Sequence, residues 1–499
     1  MKKIFITILA LTAITAAQAA VKLTVYNTRF QTITGFGAAC CDGAMKPHGT
    51  DTKPVKLLYG EDSPVGLNIM RMEISPALKG NDPDGWATDY DWNGSLPSAK
   101  EAKKRGAIVF GTPWSPPGVY KTNGSAQGGN AAGQGNVRAT LREDSYSKFF
   151  PWLNTFLKWM KSNGVLMDAV SVQNEPDWWV NYSGCLYTPD QQLKLVKNYA
   201  DKLDRKTYPG VRLISAEPFA FNPEYSNKLL NDPVAREYID IVGGHIYGSA
   251  PLANMKTAAE LAAKYGKEVW MTENSVTDKA DHLPTWMEQL DFADVVNECM
   301  LAGCTGYIYW YMRAHWSFVG TGEAQYNPGN TRNTLLPRAY VMSHFSKHLP
   351  GATRLDTYPR MTEGEQKNIE YSAYIKGDSL IVMAINKFAS TYVLNIVLPS
   401  EVKSGKHIVS TSNTSLCQES AIAIDEPTKS VVVKMGPQSL NTWIFMIDKG
   451  ATAISHQTRA WNGGETEYYD LHGRRLAAPG GLCVERHSDG SSRVVFIGR

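Results

Sequence analysis

Between residues 32 and 348 the chain alternates short apolar runs with segments whose apolar residues recur at helical spacing. Several runs are almost continuously apolar, which is typical of parallel strands covered on both faces. Helical periodicity is clearest in Tyr146–Asn163. Eight successive strand–helix units predict an α/β fold, a closed (β/α)8 TIM barrel. The predicted strands are Thr32–Ala39, Leu67–Ile74, Ala107–Trp114, Ala169–Glu175, Arg212–Pro218, Asp240–Tyr247, Glu268–Asn274 and Tyr307–Met312.

An open, doubly wound sheet is the alternative arrangement of the same units. The dinucleotide-binding form of that fold carries Gly-x-Gly-x-x-Gly after its first strand, and the chain has no such motif there. The pattern therefore favours the barrel.

After Pro350 the helical periodicity stops and short β-rich segments follow one another, which predicts a side antiparallel β-sandwich domain. A turn at Lys376–Asp378 joins the first two strands, and we expect Val21–Tyr26 to add an edge strand. The predicted strands are Ile369–Ile375, Leu380–Asn386, Tyr392–Leu398, His407–Thr411, Ser430–Met435 and Asn441–Ile447.

The two ends of the chain differ from its middle. A basic start, a short apolar run and Ala17–Ala19 make residues 1–19 a predicted signal peptide, with a buried N-terminal helix as the alternative. We expect export to the periplasm, cell surface or medium, and no later run is long enough to predict a transmembrane segment. The Gly-, Arg- and Ser-rich tail is either a sorting signal or a small β appendage. The predicted divisions are 1–19 (signal), 20–31 (a strand of the sandwich), 32–348 (barrel), 349–448 (sandwich) and 449–499 (tail).

Composition narrows the class of protein. The 499 residues are 43% hydrophobic and 20% charged, which excludes wholesale disorder. The net charge of +3 is too small to indicate a basic surface for nucleic-acid binding. We also expect the protein to be a monomer. The 13 Trp and 24 Tyr favour a sugar-binding cleft, because sugar rings stack on flat apolar faces, although cores also use aromatic residues.

The spacing of the cysteines and histidines predicts no metal site, and we expect no other cofactor. The seven cysteines are odd in number and form no Cys-x-x-Cys motif, so they imply neither a disulfide framework nor a zinc site. An exported chain can still form one or two bridges. We expect the adjacent Cys40 and Cys41 to be small buried residues.

Two acidic motifs end predicted barrel strands. Val172–Pro176 ends the fourth strand and carries Glu175, and Trp270–Asn274 ends the seventh and carries Glu273. The C-terminal ends of barrel strands face the active site. Hydrolysis of a glycosidic bond uses two carboxyl groups that flank that bond. The pair therefore predicts a glycosidase, unless one glutamate is a surface or helix-capping residue.

Several stretches resemble glycoside hydrolase family 30, especially its xylanase-like, glucuronoxylanase-related branch. The resemblance spans residues 22–447 and implies a barrel fused to a β-sandwich and a retaining mechanism. The xylanase-like branch is favoured by Gly244–Gly248 and Tyr309–Arg313. The matching stretches are Gly35–Gly37, Thr112–Pro117, Ser171–Asp177, Gly244–Gly248, Trp270–Glu273, Tyr309–Tyr311, Ala384–Lys387 and Pro437–Thr442.

The resemblance implies that Glu175 is the general acid/base and Glu273 the nucleophile. It also implies that Asn174 holds the sugar 2-hydroxyl. Tyr247 is expected to donate a hydrogen bond to Glu273, and Arg71 to favour its ionised form. Each of these three residues has a structural alternative. Asn174 could instead cap the end of a strand, Tyr247 could be a packing residue, and Arg71 could form a structural ion pair.

Three tryptophans are expected to contact the sugar. Trp114 and Trp310 end the third and eighth strands and are expected to wall the subsite beside the cleaved bond. Trp178 follows the acid/base and is expected to line the leaving-group side. Core packing is the alternative for Trp114 and Trp310. The loop Lys121–Asn136 follows the third strand and is expected to shape the cleft.

The expected function is retaining endo-hydrolysis of β-1,4-xylan, a plant polysaccharide. The alternatives within the family are β-1,6-glucanase and exo-acting β-glucosidase or β-xylosidase. A non-catalytic glycan-binding surface protein is the alternative from another class.

One loop differs from the matching loop of the xylanase-like family members. Many xylanase-like members hold a glucuronate branch with an arginine after the seventh strand, whereas the matching stretch here is Lys279–Pro284, with His282 in place of an arginine. Because an arginine fork binds carboxylates better than histidine or lysine does, we expect glucuronate branches not to be strictly required.

Overall fold

The computed structural model describes residues 20–41, 51–76, 92–128, 139–275, 284–313, 317–322, 331–359 and 368–448, and the backbone of three strands nearer the C terminus. The chain forms two compact units, Met1–Ile447 and Asp448–Arg499. The predicted signal, residues 1–19, lies outside the described residues, as does most of the tail.

The first unit contains the predicted (β/α)8 barrel. Strand β1 (Val21–Thr32) precedes it, and eight parallel strands close on themselves in chain order. The predicted runs supplied every barrel strand, although the regular part of each strand is shorter than the run. The barrel strands are β2 (Gly35–Cys40), β3 (Ile69–Ile74), β4 (Ile108–Pro113), β5 (Ala169–Ser171), β6 (Arg212–Ile214), β7 (Ile241–His245), β8 (Glu268–Glu273) and β9 (Gly306–Tyr309).

The helices cover the barrel, and most begin with proline in the first turn, where its missing N–H costs nothing. Thr188 and Thr285 also cap two of them, each in a reciprocal capping box with the residue three positions on. The helices are α1 (Lys53–Leu58), α2 (Leu96–Lys104), α3 (Tyr146–Ser162), α4 (Pro189–Tyr199), α5 (Pro223–Asn231), α6 (Pro233–Tyr238), α7 (Pro251–Lys264), α8 (Trp286–Leu301) and α9 (Pro337–Ser346).

An apolar layer fills the lower part of the barrel interior. Seven strands each contribute one buried apolar side chain to it. Because alternate residues of a strand face the same side, the residues two and four positions further on face the interior nearer its C-terminal end. The layer is Ile69, Phe110, Ala169, Ile214, Ile241, Trp270 and Ile308.

The second sheet of this unit has eight strands, and β1 belongs to it as predicted. One pairing is not antiparallel: Val21–Thr24 of β1 runs parallel to Leu394–Val397. The other strands are β10 (Thr353–Tyr358), β11 (Ile369–Lys376), β12 (Ser379–Asn386), β13 (Tyr392–Ser410), β14 (Gln418–Ile422), β15 (Thr428–Met435) and β16 (Ser439–Ile447). The expectation that β1 is an edge strand was wrong, because it pairs with β10 on one side and with β13 on the other.

Strand β13 combines two predicted strands, Tyr392–Leu398 and His407–Thr411. Its register with both neighbours shifts near Val402, so its first half pairs with β1 and β15 and its second half with β14 and β16. The prediction of two separate strands was wrong because this irregularity redirects a strand without ending it.

The second unit contains a three-stranded antiparallel sheet of β17 (Glu467–Tyr469), β18 (Gly481–Arg486) and β19 (Ser492–Ile497). The side chain of Cys483 is not described. The other six cysteines are free, and Cys40 and Cys41 are buried as predicted. Within the described ranges, no helix is both long and apolar enough to cross a membrane.

Candidate active site

A cavity of about 610 Å³ opens at the C-terminal end of the barrel. Seven of the eight residues predicted for the site line it, and the eighth, Arg71, lies beneath Glu273 and contacts it. The predicted residues in the wall are Trp114, Asn174, Glu175, Trp178, Tyr247, Glu273 and Trp310. The structure thus brings the whole predicted set together.

Strand periodicity places most of these side chains. Arg71 follows the apolar-layer residue Ile69 by two positions, and Trp310 follows Ile308 by two. Trp114 follows Phe110 by four. Such spacings put each side chain on the interior face, one or two levels above the apolar layer.

Glu273 does not follow this spacing, because it stands three positions after the layer residue Trp270. The pairing of β7 with β8 explains its orientation: Gly244 lies opposite Met271, but the next residue, His245, lies opposite Glu273. The extra residue in β8 is a bulge, which re-aims the side chains that follow it. Glu273 therefore lines the cavity.

Glu175 lies beyond the end of β5, in an irregular segment. The preceding residue, Asn174, forms an isolated bridge with Glu217, and Glu175 itself has a positive φ of 42°. A positive φ is uncommon for a residue with a side chain and marks sites where the surrounding structure imposes a conformation. Both Asn174 and Glu175 thereby line the cavity.

The two carboxyl groups converge. One oxygen of Glu175 and one of Glu273 lie within 4.8 Å of each other. Both side chains are mostly buried, with 7% of each residue exposed.

Glu273 is held by a cation and a phenol. The guanidinium of Arg71 donates to Oε2 of Glu273 at 2.6 Å, and Tyr247 Oη donates to Oε1 at 3.2 Å. Burial raises the pKa of Glu273, and the positive charges of His245 and Arg71 oppose this rise. Burial also raises the pKa of Tyr247, so its phenol keeps the proton it donates.

Arg71 is fully buried and connects several site residues. Besides Glu273, it donates to Asn174 Oδ1 at 2.7 Å and pairs with Glu217 at 2.9 Å. Its guanidinium also lies over the Trp114 ring, 4.5 Å from the centroid. Burial opposes its charge, but Glu217 and Glu273 outweigh that effect and raise the pKa of Arg71.

His245 is a site residue that the sequence analysis did not identify. It is fully buried, its Nδ1 lies 3.0 Å from Glu175 Oε1, and its Nε2 lies 3.4 Å from Glu217 Oε2. Burial lowers the pKa of His245, but Glu273, Glu175 and Glu217 outweigh burial and raise it to about 9. At neutral pH both ring nitrogens therefore carry protons, and Nδ1 donates to Glu175.

Glu217 is a second site residue that was not predicted from the sequence. Burial raises its pKa, but Arg71 and His245 outweigh burial and lower the pKa to about 2. Its other oxygen accepts from Thr112 Oγ1 at 2.7 Å. A signal was present for both residues, because each lies near the end of a predicted strand: His245 two positions before Tyr247, and Glu217 just before Pro218.

Aromatic side chains form much of the cavity wall. The Trp114 and Trp310 rings lie 5.7 Å apart. Trp178 is 48% exposed and stacks on Phe219, with ring centroids 4.1 Å apart. Tyr182 and Tyr311, which were not predicted, also line the cavity.

The residues Glu175, His245 and Glu273 are close enough to hold one metal ion. The raised pKa of His245 opposes metal binding at neutral pH, because the ring must lose a proton before one of its nitrogens can coordinate a metal ion. The group is better described as a hydrogen-bonded ion cluster.

The loop Lys279–Pro284, whose sequence differs from the family pattern, lies outside the described residues except for Pro284. Residues 129–136 of the loop Lys121–Asn136 also lie outside them. The described part of that loop contributes Ala126 to the cavity.

Comparisons with known proteins agree on one family. The glycosyl hydrolase family 30 TIM-barrel domain matches residues 87–314. Glucuronoxylanase XynC from Bacillus subtilis (strain 168) is 32% identical over 346 residues, covering 66% of this chain and 72% of that relative. Endo-1,6-beta-D-glucanase from Neurospora crassa is 24% identical over 437 residues, covering 77% and 85%. The solved family 30 subfamily 8 xylanase Xyn30A from Clostridium acetobutylicum has a TM-score of 0.68 and 30% identity, covering 85% and 99%.

Proposed function

The chain belongs to glycosyl hydrolase family 30, and from that premise we propose that it cleaves β-1,4-xylan internally with retention of anomeric configuration. The observation that carries the mechanism is the convergence of Glu175 and Glu273 within one aromatic cavity. The similarity to a glucuronoxylanase and to a solved xylanase supports the choice of xylan.

In the first step Glu273 attacks the anomeric carbon as its nucleophile. Glu175 gives its proton to the glycosidic oxygen while the bond from that oxygen to the anomeric carbon breaks. The leaving sugar departs with the proton, and the remaining sugar is joined to Glu273 by an ester bond.

In the second step Glu175, now a carboxylate, takes a proton from water. The water oxygen bonds to the anomeric carbon, the ester bond breaks, and the electron pair returns to Glu273. Both carboxyl groups recover their starting states, and two displacements at one carbon retain its configuration.

The separation of the carboxyl groups supports retention. Retaining enzymes hold them about 5–5.5 Å apart, whereas inverting enzymes leave about 6.5–9.5 Å for a water molecule. A closest oxygen–oxygen separation within 4.8 Å suits direct attack by Glu273.

The surrounding residues fit the supporting roles. Arg71 favours the ionised form of Glu273. The oxygen of Asn174 is fixed by Arg71, so its amide nitrogen is available to hold the 2-hydroxyl. Trp114 and Trp310 offer ring surfaces beside the cleaved bond, and Trp178 lines the leaving-group side.

The test is a product analysis with purified protein on xylan, β-1,6-glucan and aryl glycosides. We expect a series of xylo-oligosaccharides from xylan, released with retained configuration as read by proton NMR. Gentio-oligosaccharides, or single sugars from chain ends, would instead favour the glucanase or exo-acting alternatives. Binding without new reducing ends would favour the non-catalytic alternative.

We further propose that glucuronate branches are not strictly required. Between Glu273 and Arg313 the sequence has no arginine, and Lys279 and His282 bind a carboxylate less well than an arginine fork. Initial rates on glucuronoxylan should change by no more than about tenfold, the span of roughly 1.4 kcal/mol, when the glucuronate is removed enzymatically. A collapse in rate on the stripped polymer would contradict this proposal.

The N-terminal sequence supports a proposal about where the protein acts. We propose that residues 1–19 direct export, which would bring the protein to a polymer too large to enter a cell. Detection of the protein and of xylanase activity outside the cytoplasm, and their loss when residues 2–19 are deleted, would test this.

A further inference from the structure

Two serine hydroxyls at the cavity wall have no hydrogen-bond partner among the described residues. Ser75 and Ser183 both line the catalytic cavity, and the side-chain oxygen of each is buried. In the part of the chain that the structure describes, neither oxygen meets a donor or an acceptor. A buried hydroxyl without a partner lowers stability by about 1–3 kcal/mol. Because each of these hydroxyls lies beside a cavity, a ligand in that cavity could supply the missing hydrogen-bond partner.

Ser75 directly follows β3 and continues the column of polar residues that Arg71 and Glu73 form on that strand. Ile69 lies in the apolar layer, and Arg71, Glu73 and Ser75 follow it at intervals of two. Alternate residues face one side of a strand, so these side chains rise in order from the barrel floor, and Glu73 and Ser75 both line the cavity.

Ser183 lies on another wall, in the segment that follows Glu175. This segment is fixed to the loop after β4: Lys121 Nζ donates to the backbone oxygens of Ala126, Gln127 and Gly184 at 2.6–3.0 Å. Gly184 N also donates to Ala126 O at 3.1 Å. The Ser183 hydroxyl is therefore presented by a fixed backbone.

The chemistry of the site distinguishes the two walls. Arg71 contacts the nucleophile Glu273, so its strand faces the sugar that becomes bonded to Glu273. Ser183 follows Glu175, which protonates the departing oxygen, so its segment faces the leaving sugar. A hydroxyl can donate and accept at once, which suits the hydroxyls of a neutral sugar.

We propose that Ser75 binds a hydroxyl on the retained side of the cleaved bond and Ser183 binds one on the leaving side. The two serines thus mark sugar subsites on both sides of the catalytic carboxyl groups, as cleavage inside a chain requires. This assignment rests on the proposed hydrolase function and names substrate-binding residues for it.

The test compares kcat/KM for two substrates. An aryl β-xylobioside places sugar only on the retained side, whereas xylohexaose occupies both sides. Ser75→Ala should lower kcat/KM about two- to tenfold on both substrates, the range expected for one neutral hydrogen bond. Ser183→Ala should lower it by a similar factor on xylohexaose and by clearly less on the aryl substrate.

Matched controls guard against effects on folding. Ser75→Ala keeps the backbone oxygen that accepts from Trp92 Nε1 at 3.0 Å. Ser162→Ala, which removes an exposed hydroxyl bonded to Trp159 O at the end of α3, should leave both values unchanged. Circular dichroism and melting temperature should match across the three variants.

Binding separates this inference from the proposed function. Xylohexaose is titrated by calorimetry into Glu273→Gln protein with and without each serine substitution. Binding that depends on both serines, without hydrolysis by the unsubstituted protein, would contradict the proposed function and leave the subsites standing. Serine variants that match Ser162→Ala in an active enzyme would overturn the inference alone. No binding of xylohexaose would overturn both.

Discussion

At the scale of single residues, a buried cluster of charges holds the candidate catalytic pair. Arg71 and His245 are its cations, and Glu175, Glu217 and Glu273 are its carboxyl groups. Burying a charge is costly unless it is paired and hydrogen-bonded, and each cation here meets at least two carboxyl groups. The cluster fixes both glutamates while exposing them to the cavity.

Substituting the two glutamates should give different kinetic results. Glu273→Gln removes the nucleophile and should abolish nearly all activity on every substrate. Glu175→Gln should lower kcat/KM on xylan by about 10²–10⁴-fold, the usual contribution of general acid catalysis. It should reduce the first step far less on aryl glycosides with good leaving groups, which need little protonation. Near-normal turnover of xylan by either variant would show that the roles are assigned wrongly.

The pKa of His245 predicts how stability depends on pH. The folded protein holds the proton up to about pH 9, whereas a histidine in the unfolded chain releases it near pH 6.5. The contribution of protonated His245 to the free energy of unfolding should therefore be fully present below pH 6.5. The free energy of unfolding should then fall by up to about 3 kcal/mol as the pH rises to 9.

Urea unfolding at intervals from pH 6 to pH 9 measures this fall. His245→Gln keeps a side-chain amide near Glu175 but has no titrating group, so its stability should change less over the same interval. Parallel curves for the two proteins would mean that His245 does not titrate there.

The residue scale also shows what the sequence could predict. Seven of the eight predicted site residues were placed at or near strand ends, which meet at one face of a parallel barrel, and Trp178 was placed on the loop after Glu175. The roles of Glu175, Glu273 and Asn174 came from the resemblance to family 30. His245 and Glu217 belong to strand ends as well, but their function depends on contacts with one another and with Arg71. Such contacts join distant parts of the chain, and no local spacing records them.

At the scale of elements, a loop is held by a single lysine. Lys121 is 1% exposed and donates to three backbone carbonyl groups from two loops of the cavity wall. The sequence predicted that this loop shapes the cleft, because it follows a barrel strand. The buried ammonium was not predictable, since a lysine in a Gly- and Asn-rich loop is usually solvated.

Lys121→Met should destabilise these loops. The substitution leaves carbonyl groups without their donor, and we expect the free energy of unfolding to fall by about 2–4 kcal/mol. Lys158→Met, at an exposed position of α3, is the matched control and should change it by less than about 0.5 kcal/mol. Equal stabilities for the two variants in urea unfolding would contradict the structural role of Lys121.

Elements in the β domain were harder to predict than those in the barrel. Barrel strands are buried on both faces, so each is a continuous apolar run. Strand β10 (TRLDTY) and strand β14 (QESAI) carry many polar residues and were not predicted. Among the described strands, β14 pairs only with β13, so its five residues are exposed or half-buried and give little apolar signal.

At the scale of the whole molecule, the barrel and the β-sandwich share one compact unit. Their contact includes a buried polar network in which Asn297 of α8 donates to Glu370 at 3.1 Å and accepts from Ser372 at 2.6 Å. Trp286 of α8 also donates to Gln438 O at 2.6 Å. A shared interface of this kind favours cooperative unfolding of both parts.

Asn297→Ala tests this coupling. It leaves the buried carboxyl group of Glu370 without one of its partners, and we expect a loss of about 1–3 kcal/mol of unfolding free energy. Asn395→Ala removes an exposed hydrogen bond with Ser430 within the sandwich and should cost less. Tryptophan fluorescence and far-UV circular dichroism should report one coincident transition, and separate transitions would show that the two parts unfold independently.

The central claim is that Glu273 forms a covalent bond with the sugar. The most direct measurement is mass spectrometry after incubation with a 2-deoxy-2-fluoro-β-xylobiosyl fluoride, whose ester intermediate hydrolyses slowly. We predict a mass increase of one fluoroxylobiosyl group per chain, located by peptide sequencing on Glu273. The label should be absent in Glu273→Gln. A label on another residue, or turnover of the reagent without a labelled enzyme, would contradict the account.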